Sequence, residues 1–440
     1  MKKNHKRTII TALAFFTALS LFADQNISFS GEVQTQWGVA APRPYSDTSA
    51  GRFILGDTSF TGKIDAYYGN SSALAEGTVS YDAVTQSLNF SLSELWVDYT
   101  SSFWGLRIGR QKTAWGKADG IDITNVICPS DTSSFSAITS ESSKLAIDSV
   151  RLSFSGEQFT ADAYWIPFFT PASLPLSEKS PLKEYVVPSQ VDSFPVSIGS
   201  IKKPQTAIWN GEYGLKLSGY FSALDVSLYG FYGWDDIPLL DYTLVFDSST
   251  LSTIPTAIEI SGEYQRFAMF GADAAIPISE TVLRAEAAFY PQRHFQKSRS
   301  NIIEENAILG DAETSVQRNE LSALVGLDWL PSEWTFTAQY FCDVVFGDLE
   351  SLEREKTYTH GATLNVSKSL LNETLEVSLF GLVNFNDLDS FIRPSVSYSI
   401  SDQISVSTGA YIFVPGPSRD GEYGKYKDLS TIYLKAKFSF

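Results

Sequence analysis

Charged side chains of opposite sign recur at alternate positions of short segments, and simple turns would bring them into pairs. A two-residue turn at Gly156 and Glu157 would set Arg151 opposite Asp162 and Phe154 opposite Phe159. One at Ser101 and Ser102 would put Glu94, Trp96 and Asp98 on the face of Arg107, and a four-residue turn over Pro277–Glu280 would set Asp273 opposite Arg284. Pairs of this kind along one row hold and orient ions and polar solutes in water. Bond-making would need a nucleophile or an activated water together with its base, and the chain has only 3 histidines. His294 and His360 lack the neighbouring His or acidic pattern of a metal site, and 2 cysteines, Cys128 and Cys342, cannot build a four-thiolate zinc cage. No cofactor is expected.

The elements that must carry these pairs are strands. In Leu429–Phe440 one row holds Ile432, Leu434, Ala436, Phe438 and Phe440, while the other holds Thr431, Tyr433, Lys435, Lys437 and Ser439. A helix would gather no stripe from this order, whereas a strand puts one row against an apolar medium and the other against water. The hairpin at Ser222 and Ala223 behaves alike, with Phe221, Leu217 and Leu215 sharing a face with Leu224, Leu228 and Gly230. Because the polar rows hold opposed Arg and Asp beside long apolar rows, the polar rows are read as the interior and the apolar rows as the exterior.

About eighteen strands, or sixteen if one hairpin is misread, follow by this pattern. They begin near Ile27, Asp57, Ala73, Leu88, Phe103, Ala146, Gln158, Gly211, Leu224, Glu263, Thr281, Asn319, Trp334, Thr357, Asn372, Phe391, Ile404 and Leu429. Connections after the even strands are short, and those after the odd strands are mostly long. That sorting describes an all-β transmembrane antiparallel up-and-down barrel, with short periplasmic turns and long extracellular loops. Trp37, Tyr99, Trp165, Trp234, Trp329 and Trp334 near strand ends fit its aromatic girdles.

Lys2, Lys3, Lys6 and Arg7 precede an apolar run from Ile9 to Phe22, the pattern of a secretory signal peptide over residues 1–23. Residues 24–440 then form a single barrel domain in the cell outer membrane. Removing the four basic leader residues takes the formal charge from −17 to −21. Such an acidic chain is a poor partner for nucleic acid; outer-membrane lipid and small polar solutes are the expected company.

Two resemblances sharpen this reading. The terminal Phe440, with Phe438 two before it and alternate apolar residues upstream, looks like the C-terminal strand signal that outer-membrane barrels present to their assembly machinery. Gly109-Arg110-Gln111, Trp115-Gly116, Asn125, Pro129 and Asp131 form a G-R-Q…W-G…N-x-x-x-P-x-D run. That run is similar to one in bacterial outer-membrane barrel families related to the alginate-export porins. The resemblance implies a porin, although the acidic composition departs from the strongly basic lumen of alginate exporters.

Two long loops stand out, over 112–145 and 167–210. The first, folded into the lumen, could narrow the pore with Arg110, Trp115, Asp119, Asp122 and Asp131; alternatively Arg110 and Trp115 only anchor it to the rim. The second carries Pro167, Pro171, Pro175, Pro181, Pro188, Pro195 and Pro204, a spacing that favours an extended path over the mouth.

The expected function is passive diffusion or export of small polar solutes, leaning towards cations, past a wall holding Glu94, Asp98, Arg107, Arg151, Asp162, Asp273 and Arg284. The alternative is an adhesin or ligand-binding scaffold displayed through the long loops. Barrel enzymes such as outer-membrane phospholipases depend on His, and neither their Tyr-x-x-His-x-Ser-Asn pattern nor an Asp-His dyad occurs. Transporters of roughly 22 strands with a separate plug need a longer chain. A homo-oligomer is compatible with this reading, but no stretch marks a contact face.

Overall fold

The computed structural model describes residues 26–42, 51–139, 143–187, 189–191, 194–246, 255–310, 312–419 and 421–440. The expected signal peptide lies outside them. In chain order the strands are β1 (Ile27–Ala40), β2 (Phe53–Tyr68), β3 (Ser71–Asp82), β4 (Ser87–Thr100), β5 (Trp104–Gln111), β6 (Ile147–Ser155), β7 (Phe159–Ile166), β8 (Gln190–Val191), β9 (Phe194–Lys202), β10 (Glu212–Phe221) and β11 (Leu224–Trp234). They continue as β12 (Leu239–Phe246), β13 (Pro255–Glu263), β14 (Arg266–Ile278), β15 (Thr281–Gln296), β16 (Ser315–Trp329), β17 (Trp334–Phe346), β18 (Tyr358–Leu370), β19 (Leu375–Asn384), β20 (Asp389–Ser399), β21 (Ile404–Val414) and β22 (Thr431–Ser439). Among the described residues three α-helices lie in the loops: α1 (Phe135–Ile138), α2 (Lys183–Val186) and α3 (Arg299–Leu309).

Eighteen of these strands form one sheet, and the remaining four, β8, β9, β12 and β13, form a second sheet within the loops. Neighbours in the large sheet are antiparallel, and it closes where β22 pairs with β1, from Glu32 opposite Ser439 to Ala40 opposite Thr431. Backbone bonds between Gly31 and Phe440, at 2.9 and 3.0 Å, finish the seam. All eighteen expected starts fall within four residues of an observed barrel strand. Turns after β2, β4, β6, β10, β14, β16, β18 and β20 hold two to four residues, whereas the opposite rim carries the long connections.

The rows face as anticipated. Outward Leu228, Phe270 and Phe90 are 58%, 62% and 75% exposed, while inward Ser227, Asp273 and Glu286 are buried. No described helix is long and apolar enough to cross a membrane; the strands do the crossing. Both rims carry outward aromatics: at the short-turn end Trp329 and Trp334 stack on Phe336 at 5.1 and 5.5 Å with Lys368 over the Trp334 ring, and at the other end exposed Trp37 and Phe53 meet edge to face at 6.0 Å.

Three hairpin registers differ from expectation by two residues. Arg151 lies opposite Tyr164 and Phe154 opposite Ala161, Leu95 lies opposite Arg110, and Asp273 lies opposite Glu286 rather than Arg284. A slip of two keeps every side chain on its own face, so alternation cannot detect it; the turns choose instead. Only the Ser222–Ala223 hairpin has the register anticipated from its sequence.

An outward Leu228→Arg substitution should cost about 2–4 kcal/mol if it lies near the bilayer midplane, whereas Ser91→Arg on the wet inner face should cost far less. Denaturant titration of protein folded into lipid vesicles checks the contrast.

Candidate functional site in the lumen

The first long loop enters the barrel, and the motif residues specify how. Gly109 has φ +132, and a Cβ there would lie 2.2 Å from the Leu95 carbonyl oxygen, so only glycine fits. Arg110 then projects from the outer face and forms a bidentate pair with Asp148 at 2.9 and 2.7 Å. It does not constrict the pore. Gln111 is fully buried and donates to Ser149 O and Oγ at 3.2 and 2.9 Å, fixing the point where the chain leaves β5.

Trp115 is buried, and its ring packs against Tyr164, Tyr229 and Phe231 at 5.9, 5.1 and 6.3 Å. Its backbone N–H donates to Asn125 Oδ1 at 3.0 Å, tying off the segment. Trp115 is therefore an anchor, and the inner wall makes room for it at Gly214, where a Cβ would approach the ring to 3.0 Å. Gly116 has φ +88, with no space for a Cβ against Glu286.

Glu286, on the inward row of β15, is what the loop closes around. Its carboxylate accepts from Lys117 N at 2.7 Å, Ala118 N at 2.9 Å, and Thr124 N and Oγ1 at 2.7 Å each. Four donors on one buried anion make a strong, directional clasp. Around it, Arg284 donates to Lys117 O and pairs with Asp328, Tyr229 donates to Asp273, and Tyr290 donates to Ile123 O at 2.9 Å. Further along, Gln339 of β17 accepts from Asp119 N and donates to Asp119 O, at 2.9 and 2.7 Å.

The same loop reaches the opposite wall. Phe135 of α1 packs on Tyr411 and Phe413 of β21, in a cluster with Ile54, Leu55, Leu182 and Leu429. Neighbouring loops lock onto it: Thr132 N donates to Ser173 O at 2.8 Å, and Ser130 N to Asp236 Oδ2 at 3.2 Å. Burial, reinforced by the Asp235 charge, pushes the Asp236 carboxyl up. Asp131 caps Ser133, and Lys144 pairs with Asp122 at 2.6 Å. Of the five expected constriction residues, Asp119 and Asp122 are exposed on the loop, Trp115 and Asp131 hold it together, and Arg110 is outside.

The expected wall residues divide in the same way. Asp98 bonds Arg107 at 2.9 Å and lies 3.7 Å from Arg151, and the Arg107 guanidinium stacks 3.8 Å from the Trp96 ring. Asp162 accepts from Ser153 instead of facing Arg151. Asp273, 4% exposed, and Arg284 support the loop from beneath, so they do not border open water. On the uncovered side, inward Ser28, Ser30, Asn89 and Ser91 are exposed. There Glu94, which accepts from Lys112 N, lies opposite Glu76, whereas Asp57 and Asp82, opposed on β2 and β3, lie beneath α1 of the loop.

Sequence reasoning missed Glu286, Gln339 and the Glu76 and Asp57–Asp82 positions. One signal was available for Glu286: a lone acid on an inward row followed by Ala288, which lies opposite Gly271, where the wall thins to admit a guest.

The sequence matches the family described as Protein of unknown function (DUF1302) over residues 66–377, and the chain belongs to that family. No curated protein matches it. Among solved structures the chain resembles OccAB1 of Acinetobacter baumannii, at 9% identity over 94% of this chain and 96% of that one, with a TM-score of 0.51. OccAB4 of the same organism matches at 8% identity over 94% and 98%, with a TM-score of 0.51. The outer membrane channel DcaP of A. baumannii matches at 8% over 94% and 97%, with a TM-score of 0.45. The shared feature is the fold, and the chain is an outer-membrane β-barrel.

Loop release is readable at Cys128 within it, which is buried and whose Sγ accepts from Thr113 N at 3.3 Å; burial pushes this thiol up to about 11. Each donor orphaned by Glu286→Ala costs about 1–3 kcal/mol, which should free the segment. In a Cys342→Ala background, maleimide labelling of Cys128 at pH 8 should accelerate at least about tenfold on Glu286→Ala, as measured by mass spectrometry on barrels that keep their folded gel mobility.

Proposed function

We propose that this member of the DUF1302 family is a porin-like channel for passive diffusion of small polar solutes, with a preference for cations. The observation that carries the reading is the unequal treatment of the two inner walls. The loop covers the β10–β17 side, where Tyr229, Phe231, Phe267, Met269, Tyr290 and Leu324 form a dry cluster with Trp115 and Ile127. On the β1–β4 side the inward Ser28, Ser30, Asn89 and Ser91 stay exposed, while Gln36 and Asp98 are buried.

That wet row is acidic. Asp65, Glu76 and Glu94 line β2–β4, with Lys63 the cation among them, 3.3 Å from Asp65. Exposed Asp119 adds negative charge from the loop, while Asp122 is paired with Lys144. A low-dielectric tube focuses such a field along its axis, which raises the local concentration of cations and repels anions. A polyanion such as alginate is disfavoured as cargo for the same reason, so the resemblance to alginate-export porins does not extend to the substrate. Phe440, outward and stacked near Phe60, is the residue we assign to contact with the assembly machinery.

In a planar bilayer with a potassium chloride gradient, the reversal potential should indicate cation preference, and anion preference would overturn the assignment. The double variant Glu76→Gln/Glu94→Gln should lower the cation-to-anion permeability ratio by about twofold or more at low salt, with the exposed loop variant Glu350→Gln unchanged.

A further inference from the structure

Beyond the lumen, the loops build a second structure. Strands β12, β13, β9 and β8 form a sheet in which β13 runs antiparallel to β12 and parallel to β9. Its own core holds Val191, Tyr242, Ile258, Ile260 and Ile302, the last from α3. Gln296 ties it to the barrel, accepting from Leu240 N at 2.6 Å and donating to Leu240 O at 2.8 Å.

Between this sheet and the outer face of the β15–β16 hairpin lies a cleft of about 670 Å³, a volume suited to a small ligand. His294 and Gln317 form its hairpin wall; they are paired across the two strands, and they lie on the row opposite inward Glu320. Asp241, Glu263 and Glu313 line the cleft with Lys202. Asp241 accepts from Asn306 at 2.9 Å and Glu263 from Gln265 at 2.7 Å. Among the described residues, none of the three carboxylates has a salt-bridge partner.

The geometry points to this cleft as a binding site for a small organic cation carrying two or more amino groups. Three carboxylates against one ammonium reject an anion. No Trp, Tyr or Phe lines the cleft, so a sugar ring would find no stacking surface. Amino groups, by contrast, would satisfy acceptors that the protein leaves open while neutralising their charge. The site stands apart from the lumen, so it does not rest on the channel reading.

The probe is spermidine, titrated calorimetrically against the full-length refolded protein. Saturable binding should weaken at least tenfold in Asp241→Asn/Glu263→Gln, persist in Glu76→Gln/Glu94→Gln, and be absent for glucose and L-glutamate. Folded gel mobility and unchanged single-channel conductance of the Asp241/Glu263 variant show that the barrel is intact. Should that variant misfold, Glu313→Gln alone should still weaken binding. No binding, binding that follows Glu76 and Glu94 instead, or equal binding of L-glutamate would overturn the assignment.

Discussion

A sheet immersed in hydrocarbon cannot leave an edge, because each unpaired N–H or C=O there costs several kcal/mol and lipid offers it no partner. The pairing of β22 with β1 meets that demand, and the rest follows from it. Once closed, the sheet has one face in lipid and one in water, so apolar rows turn out and polar rows turn in. The lumen this creates is lined by charge, and the chain's long first loop is the only element needed to divide it into a dry half and a wet half. Glu286 is suited to that task because a buried carboxylate collects several backbone donors at once, which a neutral side chain cannot do as strongly.

What could be read from the sequence is what depends on local period. Strand starts, faces and the sorting of short and long connections all follow from alternation and turn chemistry. Register does not, since a shift of two residues preserves every face: a four-residue turn would set Asp273 opposite Arg284, and the structure pairs it with Glu286. The charged partners were therefore misassigned even where their side of the wall was right.

The course of the loop was illegible for a different reason. Its motif, from Gly109 to Asp131, was visible, but the meaning of Trp115 and Gly116 lies in Glu286 and Tyr229, more than a hundred positions away. Nothing in local composition encodes a contact of that span. The two glycines with left-handed φ, Gly109 and Gly116, mark where the backbone must bend for reasons that become apparent only once the opposite wall is present.

The loop's attachments at Glu286 on one wall and at Tyr411 and Phe413 on another have a mechanical consequence. A hollow cylinder squeezed sideways flattens easily, since its strands can shear and its section become oval. A strap fastened across the diameter turns that soft mode into a stiff one, so lateral pressure from a crowded bilayer is carried by the strap rather than by the bore.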